Sequence, residues 1–375
     1  MPKNNLPRLI YASSEGSADM LYATKFPAPD AFLFLQHRGK RSIVLSDLEI
    51  DRGKKQAMVD EVVSLSTIEG SLEKRLKTKP PVEETIAHFL RQRRVRRAQV
   101  PADFPFGLAQ QLAKRKITLS PVQGPFWGDR EFKTAEEIKK IEKAIRITEI
   151  GLARGIEVLK AAEIRAKRRL RWAGLWLTSE ILRGEIDSAI VRAGGLPINT
   201  IVTGGEQACD PHERGSGPLL ANSLIILDVF PRDAKTGYHG DLTRTVVRGL
   251  ANENQRKLWH TVLDGQSYAL ENIRVGESGN ALQEKVTQMF TANGYPTEIR
   301  NGRWVGFFHG LGHGLGLEIH ESPRIARTDF KRGQVLTVEP GLYFPGLGGV
   351  RHEDNGVVAE TGFKVLSRFP KVLEV

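Results

Sequence analysis

The sequence predicts an α+β protein of two domains. Strand-like apolar runs and helix-like stripes both occur along its 375 residues, and the chain is long for one ordinary domain. A Pro- and Gly-rich stretch, Pro121–Asp129, divides shorter segments before it from longer helices and strands after it. We therefore expect a smaller domain over residues 1–128 and a larger domain over 129–375.

In the first domain, short strands and helices are expected in turn. Short apolar runs predict strands at Leu21–Thr24, Ala31–Leu35 and Ser42–Leu45. Helical spacing predicts helices near Gly53–Val63 and Glu83–Arg97. These segments indicate a small domain that mixes both kinds of element.

The second domain is expected to open on a long helix. Thr134 and Glu137 form a capping box, which marks a helix N-terminus. Further helices are predicted over about Asn252–Ile273 and Asn280–Ala292. The first helix should pack on the sheet through apolar residues at helical spacing, which are Ile138, Ile141, Ile145, Leu152, Ile156 and Leu159.

Two carboxylates are predicted to meet in a hairpin. The apolar run that begins at Ser223 ends in Asp228, so this acid should lie at the end of a buried strand. A turn at Lys235–Gly237 then leads to a returning strand, Asp241–Val247. The hairpin would bring Asp228 and Asp241 together.

Two later strands carry one carboxylate each. The strand-like run from Gln334 ends in Glu339 before a Pro-Gly stop, and Gly349–Asp354 offers Glu353. Burying a carboxylate is costly unless it is paired, hydrogen-bonded or bound to a metal. A single acid of this kind is most often structural, but four of them favour a metal site.

Three histidines occur within His309–Glu321, in a segment with glycine at every second position from 310 to 316. Four glycines in seven residues disfavour a helix, because each costs about 1 kcal/mol relative to alanine. They allow close approach of the backbone instead. Imidazole binds borderline divalent metals and transfers protons near neutral pH, so His309, His313 and His320 are candidate site residues.

The charge count favours two metal ions. The four carboxylates balance two divalent ions, and His313 adds a neutral nitrogen ligand. Two ions roughly 3.5–4 Å apart can polarise a carbonyl and lower the pKa of a bridging water to give hydroxide at neutral pH. This donor set therefore predicts hydrolytic chemistry.

The candidate ligands follow one another along the chain: Asp228 at a strand end, Asp241 in GDLTRT, His313 in HGLGHGLG, Glu339 in TVEPGLY and Glu353 in VRHED. With these five ligand types in this order, residues 133–375 resemble the pita-bread metallopeptidases (family M24). That family includes methionine aminopeptidase, prolidase and aminopeptidase P. The resemblance implies that Asp228 binds one metal, and that His313 and Glu339 bind the other. It also implies that Asp241 and Glu353 bridge both ions and that Glu339 moves a proton between the attacking hydroxide and the leaving amine.

Other residues are similar to those of the proline-specific branch. The resemblance assigns His309, His212 and His320 to the substrate side, with His320 stabilising the tetrahedral intermediate. Each histidine alone would more often be a surface or core residue. Arg351 is similar to an arginine that orients the bridging glutamate, although an ordinary surface ion pair is the alternative.

The first domain resembles, more weakly, the creatinase-type α/β N-terminal domain of prolidases and aminopeptidase P. This again favours the proline-specific branch and implies a homodimer.

Two features of the sequence depart from the family pattern. Asp228 and Asp241 are thirteen residues apart, about two more than expected, with the extra residues in Pro231–Gly237. His352 stands where an aliphatic residue is usual, which puts the metal preference in doubt.

The net charge of +11 raises a rival hypothesis, a non-catalytic binding protein with a basic surface for nucleic acid or protein partners. Arg91–Arg97 and Arg165–Arg171 are basic runs, each expected on a helix with acidic partners and without interleaved aromatic residues. Retention of all five ligands weighs against it. A metal-free relative such as creatinase would have to lack several carboxylates.

The sequence contains no run of eighteen apolar residues, so no membrane span is predicted. Met1–Asn5 lacks the apolar core of a signal peptide. The lone Cys209 excludes an internal disulfide and fits a reducing cytoplasm. We therefore expect a cytoplasmic Xaa-Pro peptidase that binds two divalent ions, Mn first and Co, Zn or Fe as alternatives, without nucleic acid or membrane partners. The sequence leaves open whether dipeptides or longer peptides are cleaved.

Overall fold

The computed structural model describes residues 6–375, which divide into two compact units between Gly128 and Asp129. Met1–Asn5, on which the expectation about a signal peptide rests, lies outside the described residues. Within residues 6–375, every helix is too short or too polar to cross a membrane.

The first unit is a six-stranded mixed sheet with helices, in the strand order β4-β3-β2-β1-β5-β6. Strands β1 to β3 pair antiparallel, and the outer pairs are parallel. Its strands are β1 (Arg8–Ala12), β2 (Phe32–His37), β3 (Lys40–Leu45), β4 (Glu61–Ser64), β5 (Arg97–Val100) and β6 (Thr118–Pro121). Its helices are α1 (Ala18–Thr24), α2 (Ile50–Gln56), α3 (Leu65–Leu76), α4 (Val82–Gln92) and α5 (Phe106–Lys114).

One expected strand of this unit was wrong, and two expected helices end earlier than predicted. Leu21–Thr24 belongs to helix α1, because Ser17 caps the helix and accepts a hydrogen bond from the Met20 amide. The helix expected over Gly53–Val63 ends at Gln56, since the residues that follow pair with β3 as strand β4. Likewise α4 ends at Gln92, and Arg97 already belongs to β5. The expected strands near 31–35 and 42–45 are confirmed as β2 and β3.

The second unit combines four long helices with several small sheets. The helices are α6 (Ala135–Ala161), α7 (Ser179–Arg192), α8 (Glu253–Asn272) and α9 (Gly279–Ala292). The first strands are β7 (Glu163–Ile164), β8 (Leu170–Trp172), β9 (Leu175–Trp176), β10 (Gly195–Leu196), β11 (Ile201–Gly204), β12 (Leu224–Val229), β13 (Arg232–Asp233) and β14 (Leu242–Val247). The later strands are β15 (Glu298–Arg300), β16 (Arg303–Val305), β17 (His313–Gly314), β18 (Glu321–Arg324), β19 (Val335–Val338), β20 (Gly341–Phe344), β21 (Gly348–Arg351), β22 (Asp354–Ala359) and β23 (Gly362–Val365).

The predicted helices of this unit are confirmed, including the capping box of Thr134 and Glu137 at the start of α6. Neither basic run forms the expected helix. Arg91–Arg97 runs from the end of α4 to β5, and Arg165–Arg171 lies mostly between β7 and β8. The second run contains no aromatic residue, but the Arg169 guanidinium lies 4.0 Å from the centre of the Trp176 ring, which follows the run in sequence.

Two sheets converge at one point of the second unit. One has the order β11-β12-β14, and the other has the order β18-β17-β19-β22-β23. The Glu353 amide donates to the Thr243 carbonyl at 3.1 Å, and the Asp241 amide donates to the Asn355 side chain at 3.2 Å. These bonds hold the end of the β12–β14 hairpin against the start of β22.

Candidate metal centre

Three carboxylates meet where the two sheets converge. Asp228 lies near the end of β12, Asp241 directly precedes β14, and Glu353 stands between β21 and β22. Asp228 is opposite Thr243 in the antiparallel pair. The Thr243 hydroxyl lies 2.9 Å from Asp228 Oδ1 and 2.8 Å from Glu353 Oε2. A threonine two residues after Asp241 thus bridges two of the acids.

The second sheet brings a histidine and a fourth carboxylate to the same place. His313 Nε2 lies 3.1 Å from Glu339 Oε1 and 3.8 Å from Asp241 Oδ2. His313 Nδ1 donates a hydrogen bond to the Gly314 carbonyl at 3.1 Å, which leaves Nε2 facing the acids. One ligand atom each from Asp241, His313 and Glu353 lies within 4.8 Å of the others.

Two of the glycines around His313 are required by close backbone approach. A Cβ on Gly312 would lie 2.0 Å from the Thr337 carbonyl oxygen, and one on Gly314 would lie 2.2 Å from the Ser322 carbonyl oxygen. Strand β17 therefore fits between its neighbours only without side chains at these positions, while His313 between them projects toward the carboxylates.

Two of these acids have pKa values that are raised by burial and by their acidic neighbours. Burial, Glu353 and Asp228 raise the pKa of Asp241 well above its ordinary value. Burial, Glu339 and Asp228 do the same to the pKa of Glu353, whose buried Oε1 has no hydrogen-bond partner among residues 6–375. Four acids, one of which has this unpartnered oxygen, and one imidazole nitrogen suit divalent cations, so the residues fit the metals that the sequence predicts.

Glu339 behaves differently from the other acids. Burial alone would raise its pKa, but the hydrogen bond with His313 and the charges of His313, His309 and Arg351 lower it to about 2. Glu339 is therefore a carboxylate at neutral pH and is able to accept a proton.

Arg351 contacts a different acid from the one expected. Its Nη2 lies 2.5 Å from Asp228 Oδ2, and it reaches Glu353 only through Thr243, 3.3 Å from Nε. Its Nη1 donates to the Tyr343 hydroxyl at 2.9 Å, and that hydroxyl lies 3.0 Å from His309 Nε2. A chain of hydrogen bonds thus joins His309 to Asp228. Burial, more than any other cause, raises the pKa of Tyr343 to about 12.

Sequence reasoning missed Thr243 and Tyr343. Thr243 lies two residues from Asp241, and side chains two apart on a strand share a face. Tyr343 lies in TVEPGLY, the motif that carries Glu339, so there was also a reason in the sequence to place it near the site. Neither residue is charged, and nothing in a single sequence distinguished them from ordinary strand residues.

The other candidate histidines line a cleft of about 830 Å³, and the four carboxylates line the same cleft. His309, His320 and His212 all border it, together with Arg324 and Arg327. The ring of His320 stands edge to face with that of His313, with centres 4.4 Å apart. His212 lies on an exposed loop. The structure thus brings all the histidines chosen from the sequence to one cleft.

Neither departure from the family pattern is among the residues that line the cleft. His352 is fully buried with its ring edge-on to Trp259 of α8, ring centres 4.7 Å apart, and burial lowers its pKa well below 6.5. The longer hairpin tip pairs through β13 with β10. Asp233 in this tip accepts a hydrogen bond from Lys143 at 3.0 Å, so α6 supports the added residues.

Comparison with known proteins agrees with this geometry. The sequence model described as metallopeptidase family M24 matches residues 139–360. The chain is 34% identical to an Xaa-Pro dipeptidase of Pyrococcus furiosus over 248 residues, 65% of each chain. It is 29% identical to an Xaa-Pro dipeptidase of Pyrococcus horikoshii over 287 residues, 73% of this chain and 74% of the other. The match to the first relative thus spans slightly less than two thirds of its length.

Solved structures show the same fold over nearly the whole chain. Prolidase from Pyrococcus furiosus superposes with a TM-score of 0.78 at 24% identity, covering 97% of both chains. X-Pro aminopeptidase from Thermotoga maritima superposes with a TM-score of 0.81 at 21% identity, covering 98% of this chain and 97% of the other. The fold is prolidase-like, with an α/β N-terminal domain before a pita-bread domain, as the sequence predicted.

Proposed function

We propose that this chain, which belongs to metallopeptidase family M24 in its Xaa-Pro dipeptidase and aminopeptidase P branch, hydrolyses the bond between an N-terminal residue and a following proline. The observation that carries the proposal is the cluster of four acids and His313 at the base of a cleft. The proposed assembly is a homodimer in the cytoplasm, which rests on the family resemblance and the lone cysteine.

The proposed cofactor is a pair of divalent ions, with Mn as the first candidate and Co, Zn or Fe as alternatives. Asp228 would hold one ion, and His313 and Glu339 the other, while Asp241 and Glu353 would bridge them. When bound, such ions polarise a carbonyl and make water nucleophilic at neutral pH. The carboxylates are positioned for this by Thr243 and Arg351, through the hydrogen bonds described above.

The protein's own groups would handle protons and substrate. Glu339, ionised at neutral pH, would accept a proton during attack and return it to the leaving amine. His320 would donate a hydrogen bond to the oxygen that becomes negative in the tetrahedral intermediate. His309 and His212 border the cleft from other sides and would orient the substrate.

Replacing His320 with alanine is expected to lower kcat by about 10²-fold while KM changes little, because a hydrogen bond made mainly in the transition state contributes to kcat. Steady-state kinetics on an Xaa-Pro substrate would measure this. The matched control is His260→Ala, an exposed histidine on α8. An increase in KM without a loss of kcat would instead place His320 in ground-state binding.

We further propose that the preferred substrate is a dipeptide. Arg324 and Arg327 border the cleft, and neither has a carboxylate partner among residues 6–375. Arg324 pairs with His313 across β17 and β18, so its cationic side chain lies beside the candidate metal centre. A free C-terminal carboxylate after proline would supply the missing negative charge, whereas a longer peptide would carry that charge farther away.

Assays of Xaa-Pro dipeptides beside Xaa-Pro-Yaa tripeptides, with Mn, Co and Zn in turn, test the proposed function. We expect activity on dipeptides that chelators remove. Arg324→Gln and Arg327→Gln are expected to reduce kcat/KM for dipeptides about tenfold or more, and for tripeptides much less. Arg332→Gln, which removes an exposed arginine paired with Glu360, is the control. Equal losses on both substrates would contradict the carboxylate assignment.

The same experiment separates the enzyme from the rival binding protein. A non-catalytic protein would purify without stoichiometric metal and would cleave none of these peptides. The basic run Arg165–Arg171, one of the two on which that rival rests, is not among the residues that line the cleft.

A further inference from the structure

His320 lies in a loop in which the polar side-chain contacts are made by its neighbours, Glu318 and Glu321, rather than by the His320 ring. Among residues 6–375 no group forms a hydrogen bond with the His320 imidazole, which is exposed to the cleft and touches His313 edge to face. The position of the ring therefore depends on the backbone of the loop, Gly314–Glu321.

Ion pairs fix that loop close to His320 on both sides. Glu321 Oε1 lies 2.5 Å from Lys133 Nζ, and Glu321 Oε2 lies 2.7 Å from Arg130 Nη2. The same Arg130 nitrogen lies 2.6 Å from Glu318 Oε2. The Lys133 and Glu321 side chains are only 2% and 6% exposed, so their charges have little access to water.

Arg130 and Lys133 belong to a segment that is hydrogen-bonded to the chain just before the strand leading to Glu339. The Lys133 amide donates to the Gly333 carbonyl at 2.8 Å, and Phe132 forms a β-bridge with Gln334. Strand β19 starts at the next residue and ends just before Glu339. The segment before α6 thus contacts both the strand of the proposed proton acceptor and the loop of His320.

The loop is shaped to receive Glu321. A Cβ on Gly316 would lie 2.4 Å from Glu321 Oε1, so the carboxylate packs directly over the backbone at Gly316. The Gly316 carbonyl accepts a hydrogen bond from the His239 amide at 2.9 Å. The absence of a side chain at Gly316 is therefore required for the ion pair with Lys133.

We propose that Arg130 and Lys133 are positioning residues, which set the place of the His320 ring by holding Glu321. This rests on the proposed function. A buried ion pair adds little to stability compared with apolar residues of the same size, but it does fix geometry. A displacement of about 1 Å at a catalytic group can cost about 10²-fold in rate.

A double-mutant cycle between Lys133 and His320 tests the inference. Lys133→Met is expected to lower kcat about 10- to 100-fold with little change in KM, and Lys133→Arg to restore most of the loss. In the His320→Ala background, Lys133→Met should change kcat less than about twofold, because the residue that it positions is gone. An equal loss of kcat in both backgrounds would overturn the proposal.

Two further variants keep the test independent of folding. Lys143→Met removes another lysine ion pair of the same domain, with Asp233, and should leave kcat unchanged. Where Lys133→Met alone fails to fold, the pair Lys133→Met with Glu321→Gln leaves no unpaired buried charge and should show the same loss of kcat. Near wild-type kcat in that folded double variant would contradict the inference.

A second measurement distinguishes failure of this inference from failure of the proposed function. Wild-type protein that cleaves no Xaa-Pro peptide would refute the proposed function alone. Hydrogen exchange would then decide the inference: Lys133→Met should speed exchange of the 315–321 amides at least about tenfold, whereas Lys143→Met should not. Unchanged exchange in Lys133→Met would show that Lys133 does not hold the loop.

Discussion

Replacing Asp241 with asparagine is expected to abolish hydrolysis while making the metal-free protein more stable. Asp241 is buried beside Glu353 and Asp228, and all three carry raised pKa values chiefly because of burial. Asparagine keeps the shape and removes one negative charge from this group. The same change takes a ligand from the proposed metals, so stability and activity should move in opposite directions.

The loss of activity should be large. Transition-state stabilisation by metal ions amounts to several kcal/mol, and about 4 kcal/mol corresponds to about three orders of magnitude in kcat. We therefore expect kcat to fall by about 10³-fold or more, with stoichiometric metal lost as measured by elemental analysis. His313→Ala should give a similar loss, because it removes the one nitrogen of the donor set.

Thermal unfolding after chelation measures the other half of this prediction. Each kcal/mol gained should raise Tm by about 2–4 °C for a domain of this size. The control is Asp264→Asn, an exposed acid on α8 that should change neither activity nor Tm. Near wild-type activity in Asp241→Asn would refute the site, and a lower Tm would refute the repulsion among the acids.

The stability of the chelated protein is expected to fall as pH rises above the ordinary pKa values of Asp241 and Glu353. The pKa values of Asp241 and Glu353 are higher in the folded protein than their ordinary values of 3.8 and 4.5. Folded protein therefore binds more protons than the unfolded chain, and this contribution is lost as pH rises through the raised pKa values. The loss is at most about 1.4 kcal/mol per pH unit for each group.

Other groups determine the useful pH range. His239, with its pKa lowered to about 4 chiefly by burial, stabilises the fold increasingly as pH rises toward 6.5, which opposes the carboxylates. Glu339, with its pKa near 2, acts only below about pH 4.5. Urea unfolding above pH 6.5 therefore follows the buried acids Asp228, Asp241 and Glu353 without the opposing contribution of His239.

Metal should remove this pH dependence, because divalent ions balance the four negative charges and favour the ionised acids. Protein loaded with Mn is expected to be equally stable from pH 7 to 9, and the Asp241→Asn variant without metal should show a shallower fall than the wild type. A flat profile in chelated wild-type protein would show that the acids ionise freely without a cation.

Much of the fold follows from local patterns. The capping box of Thr134 and Glu137 starts α6, and the apolar runs around Asp228 and Asp241 form an antiparallel pair, because these signals lie within a few residues of one another. Leu21–Thr24 and the end of Gly53–Val63 were misassigned, since a short segment can satisfy both periodicities. Pairing with β3 made Glu61–Val63 part of strand β4.

The sequence alone determined which residue types could carry the chemistry: acids at the ends of apolar strands and a histidine among glycines. Only the tertiary structure decided that Arg351 pairs with Asp228, that Tyr343 reaches His309, and that Lys133 holds Glu321. Strand ends and glycine spacing are local properties of the chain. Partners far apart in sequence, such as Lys133 and Glu321, are chosen by how sheets and helices pack, and periodicity does not specify that packing.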